Sequence, residues 1–459
     1  MTDGPDLVVA GAGGGLAGAL RAAELGLSVL VVEASEHFRR GNNTSMSTAM
    51  FPGAGSRWQA SEGVDDSPEK FVADIMAKTH GQADPRLART LAEVSAPLVE
   101  WLADSAGLPL SLVTDFTYPG HAVPRCHSIP GRHGSGVIDH LARRVTEHEN
   151  VELLAPARLT DVLSDVDGVR AVVVRYPDGT EEEIPTRAVL LATNGFGADA
   201  DLVERHLPEI AGALYHGSDQ SLGDALRIGG KLGAATGFLD AYQGHGAVAA
   251  NAGTLVGWAT IIHGAVLVDL EGRRFGNETR GYSEYAAELA ARPGSTGWIV
   301  LDETIFEQCQ PFQDFRDTVA SGALVWADDV AGLATATGLP PDALTEELAT
   351  AAAIARGERD DEHGRTNWER PLSGRYAAVR VVPALFHTQG GLLVDEHANV
   401  VDPQDRPIPG LYAAGGAAAS ISGHGAAGYL PGNGLLPAFG LAYLAAGDVA
   451  RRRTPDPAS

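Results

Sequence analysis

The stretch from Asp6 to Glu33 limits the fold more than any other. Asp6 to Ala10 is a short apolar run, Gly11-Ala12-Gly13-Gly14-Gly15 a tight loop, Leu16 to Leu25 a helix with alanine on its packing face, and Ser28 to Val32 a second apolar run ending in Glu33. That order predicts a βαβ unit, and a βαβ unit requires a parallel sheet covered by helices. Glycines in the loop let a diphosphate sit on the helix N-terminus, where free N–H groups and the helix dipole favour an anion. A carboxylate after the second strand can accept bonds from ribose hydroxyls. Gly11, Gly13, Gly14, Gly15, Glu33 and Ala34 are therefore expected around a dinucleotide. The register has two readings. Gly13-x-Gly15-x-x-Gly18 fits GxGxxG, whereas counting back from Glu33 makes Gly15 the third glycine and puts Ala10 and Ala12 in the first two places.

The polar segment Arg39-Arg40-Gly41-Asn42-Asn43-Thr44-Ser45-Met46-Ser47 comes next, where the chain can fold back over a diphosphate. Ser67 to Leu108 reads as helices, with apolar residues at helical spacing. Tyr118 to Gly136 differs: Tyr118, His121, Arg125, His127, Arg132 and His133 crowd among three prolines, a density of donors that suits an anionic or carbonyl substrate. Tyr118, Arg125, His127 and Arg132 are the candidates there for substrate binding. Val151 to Leu154, Val169 to Tyr176, Glu181 to Ile184 and Ala188 to Ala192 read as strands, with Asp178-Gly179 marking a hairpin. Thr193-Asn194-Gly195-Phe196-Gly197 then closes the run in a loop able to return to the nucleotide edge. From about Tyr242 the texture changes, and Ala320 to Ala355 is alanine-rich and helical, with Pro340 and Pro341 at a helix start. The pattern predicts a cap inserted at residues 241–372, with 1–240 and 373–459 forming one discontinuous domain.

Charge and cysteine narrow the function classes. With 59 acidic against 34 basic residues, a formal charge of -25 and no basic block, the chain would be repelled by a phosphate backbone, so no nucleic-acid partner is expected. The chain enters a strand directly after Met1-Thr2-Asp3-Gly4-Pro5 and has no apolar run of membrane-spanning length, so a cytoplasmic protein without a membrane span is expected. Cys126 and Cys309 are too few and too far apart for a disulfide framework or a thiolate metal site. No metal is expected, and any electrons pass through an organic cofactor.

A second glycine-rich region closes the chain: His387-Thr388-Gln389-Gly390-Gly391, then Pro409-Gly410-Leu411-Tyr412-Ala413-Ala414-Gly415-Gly416, then Gly428-Tyr429-Leu430-Pro431-Gly432-Asn433-Gly434-Leu435-Leu436. Its glycines are interleaved with apolar residues and lead into a helical pattern, which is unlike a linker and signals close approach of backbone to a ligand.

The ordered set of these motifs resembles the flavoprotein family of fumarate reductases, succinate dehydrogenases, tricarballylate dehydrogenase and 3-ketosteroid 1-dehydrogenases. It comprises Gly11 to Glu33, Asn42 to Ser47, Ala192-Thr193-Asn194-Gly195, Gly223-Asp224, Arg274-Phe275-x-Asn277-Glu278, Thr388-Gln389-Gly390-Gly391 and Gly410 to Gly415, and spans nearly the whole chain. The resemblance implies FAD and an α/β fold, a discontinuous Rossmann-like FAD-binding domain with an inserted α+β cap. It implies that Asn42, Asn43, Thr44, Ser45, Ala192, Thr193, Gly195, Asp224, Gly391, Ala414, Gly415, Asn433, Leu435 and Leu436 lie at the cofactor. Members that attach FAD covalently carry a histidine where this chain reads Asn42-Asn43-Thr44-Ser45, so noncovalent FAD is implied.

The family's two branches divide over the substrate. Carboxylate-reducing members use an arginine just before the Gly-Asn turn, where this chain has Tyr429. Ketosteroid dehydrogenases place a tyrosine there and another a few residues beyond Asn-Glu, corresponding to Tyr282. His387 and His245 resemble the substrate-binding histidines of the fumarate reductase branch, in which an arginine shortly after Asn-Glu moves the proton; the spacing leaves Arg280 and Tyr282 both open. Exchange of hydride with a flavin at a carbon β to a carbonyl needs a base for the α proton and a donor for the enolate-like oxygen. The expected assignment is Tyr282 for the proton, Tyr429 with the backbone around Gly432 for the oxygen, and His387 as anchor. The expected function is a CH–CH oxidoreductase acting next to a carbonyl or carboxylate; a fumarate reductase or tricarballylate dehydrogenase-like enzyme on a carboxylate, or an oxygen-using flavin oxidase, are the alternatives. Its partners are a small-molecule substrate and an unidentified electron donor or acceptor.

Overall fold

Six strands form the sheet at the centre of the first unit, in the order Asn399–Val401, Pro407–Ala413, Val189–Leu191, Leu7–Ala10, Val29–Val32, Val151–Leu154. All neighbours run parallel except the edge strand Asn399–Val401, which is antiparallel to Pro407–Ala413. Leu7 to Ala10 are all buried, the unbroken apolar run that a parallel strand covered on both faces requires. The helix Gly15–Glu24 connects Leu7–Ala10 to Val29–Val32, completing the βαβ unit. It lies against the closing helix Leu435–Arg453 at glycine distance: a Cβ on Gly14 would stand 2.5 Å from the Ala438 carbonyl oxygen, and one on Gly18 would stand 3.1 Å from the Ala442 Cβ.

The computed structural model describes residues 4–115 and 117–453. Met1 to Asp3, on which the expectation of no leader partly rests, lie outside the described residues. The chain divides into two compact units: residues 1–207, 217–242 and 387–459, and residues 208–216 and 243–386. The first also carries an antiparallel meander of Arg158–Asp165, Gly168–Arg175 and Glu181–Pro185, turning at Asp178-Gly179. Its strand Arg158–Asp165 has no counterpart in the sequence reading.

In the second unit the long strand Tyr376–Thr388 is the hub, paired with Leu214–Tyr215, Gly297–Asp302, Leu324–Ala327 and Tyr242–Ala249. This strand follows Pro371, where the sequence pattern predicts a return to the first domain. It is counted with the second unit through Phe386 because Tyr376 to Val381 pair antiparallel with Asp302 to Gly297. The motif Arg274-Phe275-x-Asn277-Glu278 is part of this unit's frame. Arg274 donates to both Glu278 oxygens at 2.8 Å and to Asp361, and Trp368 lies over the guanidinium groups of Arg274 and Arg365. Among the described residues no helix is long and apolar enough to cross a membrane.

Candidate functional site

The glycine loop is built by exclusion of side chains. Gly11 has φ +107°, and a Cβ there would come 2.2 Å from the Ala192 carbonyl oxygen, so this position makes the turn. A Cβ on Gly15 would meet Val9 Cγ1 at 2.8 Å and Ala192 Cβ at 3.2 Å. Gly15 is thus the glycine that lets the helix pack onto the strands, the role of the third glycine in a dinucleotide fingerprint. The turn falls on Gly11 and not on Ala10, and the packing role on Gly15 more than on Gly18. Within the loop, counting back from Glu33 gives Gly15 its place as the third glycine, while the positive φ falls on Gly11, one residue after Ala10. The helix that follows has no side-chain cap at Gly14, leaving its N-terminal N–H groups to backbone or ligand.

Glu33 holds this loop from the side. Its carboxylate, 8 % exposed, accepts the Ala12 N–H at 2.7 Å and the Ser35 N–H at 2.8 Å. Burial raises its pKa against the pull of those bonds and of the Arg158 charge. The Asn42–Ser45 segment also reaches the loop: a Cβ on Gly13 would stand 3.1 Å from Thr44 Oγ1, and Asn42 Nδ2 lies 3.4 Å from the Ala12 oxygen. Asn42 and Ser45 brace each other, the Ser45 N–H donating to Asn42 Oδ1 and Ser45 Oγ to the Asn42 carbonyl, while Asn43 Oδ1 accepts the Ser218 N–H at 2.7 Å.

Gly195, Gly391 and Gly415 are each closely packed in the same unit. A Cβ on Gly195 would overlap Thr388 Oγ1, one on Gly391 would lie 2.6 Å from the Ala417 oxygen, and Gly415 takes φ +63° beside Ala438. Five buried side-chain atoms of this unit, Arg21 Nε, Thr193 Oγ1, Asn399 Oδ1, Ser420 Oγ and Asn433 Oδ1, have no hydrogen-bond partner among the described residues, and Thr193, Ser420 and Asn433 belong to or adjoin the glycine-rich segments. Leu435 and Leu436 open the closing helix. Asp224, expected at the cofactor, has its carboxylate engaged by Arg158 and by Arg227 at 3.0 Å.

The donors of Tyr118 to Gly136 are taken up by the protein itself. Arg125, 1 % exposed, donates through Nε and Nη2 to Asp66 and through Nη1 to Asp74, and stacks over Phe71. Its Nη1 also donates to His121 Nδ1 at 2.9 Å, so the His121 proton lies on Nε2, which donates to the Pro431 oxygen at 2.9 Å. His127 is buried with Nε2 2.8 Å from Ser56 Oγ, and Arg132 forms a bidentate pair with Asp115. The segment, read as a loop, contains the strand Cys126–Ser128, paired on both sides with Phe51–Pro52 and Ser111–Leu112. Arg125 and His127, expected at the substrate, thus make buried contacts within the protein frame. Tyr118 packs against Met50, Val113 and Cys126.

Gly434 faces two of the expected catalytic side chains. A Cβ built on it would be 3.0 Å from His387 Nε2 and 3.7 Å from the Tyr429 hydroxyl, and the two rings meet edge to face at 5.9 Å. Gly432 holds the preceding turn at φ +94° against Pro52. Burial lowers the His387 pKa to about 4, so the ring is neutral at pH 7. Its Nδ1 lies 2.8 Å from Gln389 Nε2; Gln389 Oε1 accepts from Ser422 Oγ at 2.8 Å, and Ser422 Oγ accepts from Asn433 Nδ2 at 3.2 Å.

In the second unit Tyr282 opens the helix Tyr282–Ala290 after Gly281, whose φ of +143° sets the bend. Its ring stacks on His245 at 4.8 Å, Phe386 stacks on His245 at 5.3 Å, and Trp258 meets that imidazole edge-on. Burial, helped by His216, lowers the His245 pKa to about 3, and Nδ1 accepts the Ala247 N–H. Arg280 is largely exposed, 3.8 Å from Glu288. Sequence reasoning missed Gln389 and Ser422 beside His387 in the first unit, and Phe386 and Trp258 beside His245 in the second; of these only Gln389 stood inside a motif.

A family model described as FAD binding domain matches residues 6–435. NADH:fumarate oxidoreductase of Klebsiella pneumoniae is 29% identical over 454 residues, covering 97% of this chain and 48% of that protein, so the chain spans about half of its length. The open conformation of a flavocytochrome c3 fumarate reductase superposes with a TM-score of 0.82 at 26% identity, over 97% of this chain and 78% of that one. The 3-ketosteroid delta1-dehydrogenase of Sterolibacterium denitrificans shares the fold, with a TM-score of 0.79 at 22% identity, over 98% of this chain and 100% of that one. The side-chain-free loop at an uncapped helix start, the buried Glu33 and the unpartnered Thr193, Ser420 and Asn433 atoms all fit FAD.

Proposed function

The chain belongs to the FAD binding domain family, and from that premise we propose that it oxidises or reduces a carbon–carbon bond next to the carbonyl of an uncharged substrate. Bound FAD supplies the acceptor or donor of the hydride. Gly11 to Gly15 and Thr44 would hold its diphosphate and Glu33 its ribose, while Thr193, Ser420 and Asn433 offer it their unpartnered polar atoms. The attachment is noncovalent, since Asn42 to Ser45 include no histidine. Tyr282 takes or returns the α proton, and Tyr429 donates to the carbonyl oxygen, where charge develops. A phenol of ordinary pKa, about 10, is a weak base, and a neighbouring cation such as Arg280 favours its ionised form.

One observation carries the choice of an uncharged substrate: the four groups that the sequence offers to hold a carboxylate, Arg125, Arg132, His245 and His387, do not stand as free cations. Arg125 and Arg132 are paired with Asp66, Asp74 and Asp115, and His245 and His387 are neutral. A second reading, an unsaturated carboxylate with Arg280 moving the proton, draws on the printed names of the fumarate-reducing relatives. Tyr282→Phe should lower turnover by roughly two to four orders of magnitude with FAD retained, and Arg280→Gln should mainly shift the pH dependence. Full activity in Tyr282→Phe with none in Arg280→Gln would hand the function to the second reading.

A further inference from the structure

Tyr282 follows a bend that suits glycine alone. Gly281 has φ +143° and ψ +150°, and it joins the turn Glu278–Arg280 to the helix that Tyr282 begins. Glycine restrains the backbone least, so the place of the phenol is set by the ties on either side of that bend. Downstream, Ser283 Oγ accepts the Gly244 N–H at 3.0 Å, which fastens the start of the helix to the strand carrying His245. Upstream, the Glu278 carboxylate takes two bonds from Arg274, but those hold a side chain. The Glu278 backbone is held by Trp258, whose indole N–H donates to the Glu278 carbonyl oxygen at 3.1 Å.

The same indole also meets the rings around Tyr282. It lies 5.8 Å from His245, 5.7 Å from Tyr285 and 6.5 Å from Tyr282 itself, edge-on or tilted in each case. One rigid, buried side chain therefore touches both the turn before Tyr282 and the imidazole on which the Tyr282 ring stacks. Its own seat is closely defined. A Cβ on Gly246 would stand 3.2 Å from Trp258 Cζ3 and 3.3 Å from Cη2, and buried Arg365 donates to the Ile261 and Ala265 carbonyls, holding the short helix Ala259–Ile262 that Trp258 precedes. A hydrogen bond of this kind adds only modestly to stability, whereas misplacing a reacting group by about 1 Å can cost about 100-fold in rate. Trp258 thus bears on the placement of Tyr282 more than on folding.

We propose that Trp258 is a positioning residue for Tyr282: its indole N–H holds the Glu278 carbonyl, its ring backs the His245 imidazole, and together they fix where the Tyr282 hydroxyl stands. The consequence for turnover rests on the functional reading above, in which Tyr282 moves the proton; the placement of the ring does not.

Trp258→Phe keeps a ring beside His245 and removes the donor. Crystal structures of the FAD-loaded wild type and of this variant read the placement directly. The expected result is a Tyr282 ring displaced by about 1 Å or more from its stack on His245, or divided between two rotamers, with the Arg274–Glu278 pair intact. Should the variant fail to fold, 3-benzothienylalanine at position 258 keeps the shape of the indole, replaces its N–H by sulfur and should displace the ring in the same way. A Tyr282 ring unmoved on His245 in the folded variant overturns the proposal. The kinetic readout is reoxidation of the dithionite-reduced flavin by 2-cyclohexenone or another uncharged enone. Trp258→Phe should lower the saturating rate about 10- to 100-fold with the half-saturating concentration nearly unchanged, and the loss should vanish when Tyr282→Phe is already present. A purely structural role would lower the melting temperature and leave the rate per bound FAD unchanged. An unchanged rate, or a loss of full size in the Tyr282→Phe background, also overturns the proposal. No reoxidation by any uncharged enone, or full activity in Tyr282→Phe, would refute the functional reading alone, and the crystal structures would still decide the placement.

Discussion

The glycine loop and the Tyr118–Gly136 segment both attract attention in the sequence, one for having almost no side chains and the other for being crowded with donors. In the structure their standing reverses. The crowded segment is closed: Arg125 is paired twice and stacked, His121 links it to the Pro431 carbonyl, and Arg132 has Asp115. The bare loop is open, with backbone at an uncapped helix start and unpartnered Thr193, Ser420 and Asn433 atoms in the same unit. Charge taken out of water must be matched inside the protein, so a dense group of buried charges tends to complete itself. A binding site is marked by hydrogen bonding that the protein leaves unfinished.

The comparison breaks most visibly at Arg125. Arg125→Leu should cost about 3–5 kcal/mol of stability by stranding Asp66 and Asp74, the usual scale for half of a buried pair, with KM changed little in whatever folds; a large rise in KM at unchanged melting temperature would return Arg125 to the substrate. Gly15→Val acts on the other region. Its side chain would enter the space of Val9 and Ala192, an overpacking of about 1–3 kcal/mol, and the visible flavin absorbance per protein should fall sharply while the second unit still folds. A third effect is on pH. His121, His127 and His387 have pKa values lowered to about 4, and His245 to about 3, all by burial. The unfolded chain binds these protons near pH 6.5 and the folded one does not, so this stability is full above about pH 6.5 and is lost as pH falls toward 4. Thermal melts should show a steady decline over that window, and a flat profile would mean that these rings are not held neutral.

Much of the first unit was legible because its signals are local. Apolar runs bounded by glycine specified Leu7–Ala10 and Val29–Val32, and Asp178-Gly179 specified the meander's turn. Partners distant in sequence were not legible. Arg125 shows a cation, but its counter-ions stand 59 and 51 residues away, and Ser422 lies 33 residues beyond the Gln389 it anchors. The strand Tyr376–Thr388 carries an apolar pattern that either sheet could accept, and its pairings with distant strands such as Gly297–Asp302 and Leu324–Ala327 assign it. The glycine register was legible in part: counting back from Glu33 finds Gly15, whereas only the backbone angle of Gly11 locates the turn.

The central claim is a flavoprotein whose substrate oxygen is met by neutral donors. Its most direct test is an anaerobic absorbance titration of the purified yellow protein, using uncharged ketones on the oxidised flavin and uncharged enones on the chemically reduced flavin, with succinate and fumarate in parallel. The account predicts that an uncharged ketone bleaches the flavin or an uncharged enone restores its colour, while succinate and fumarate do neither. Restoration by fumarate with no response to any uncharged enone or ketone would contradict it.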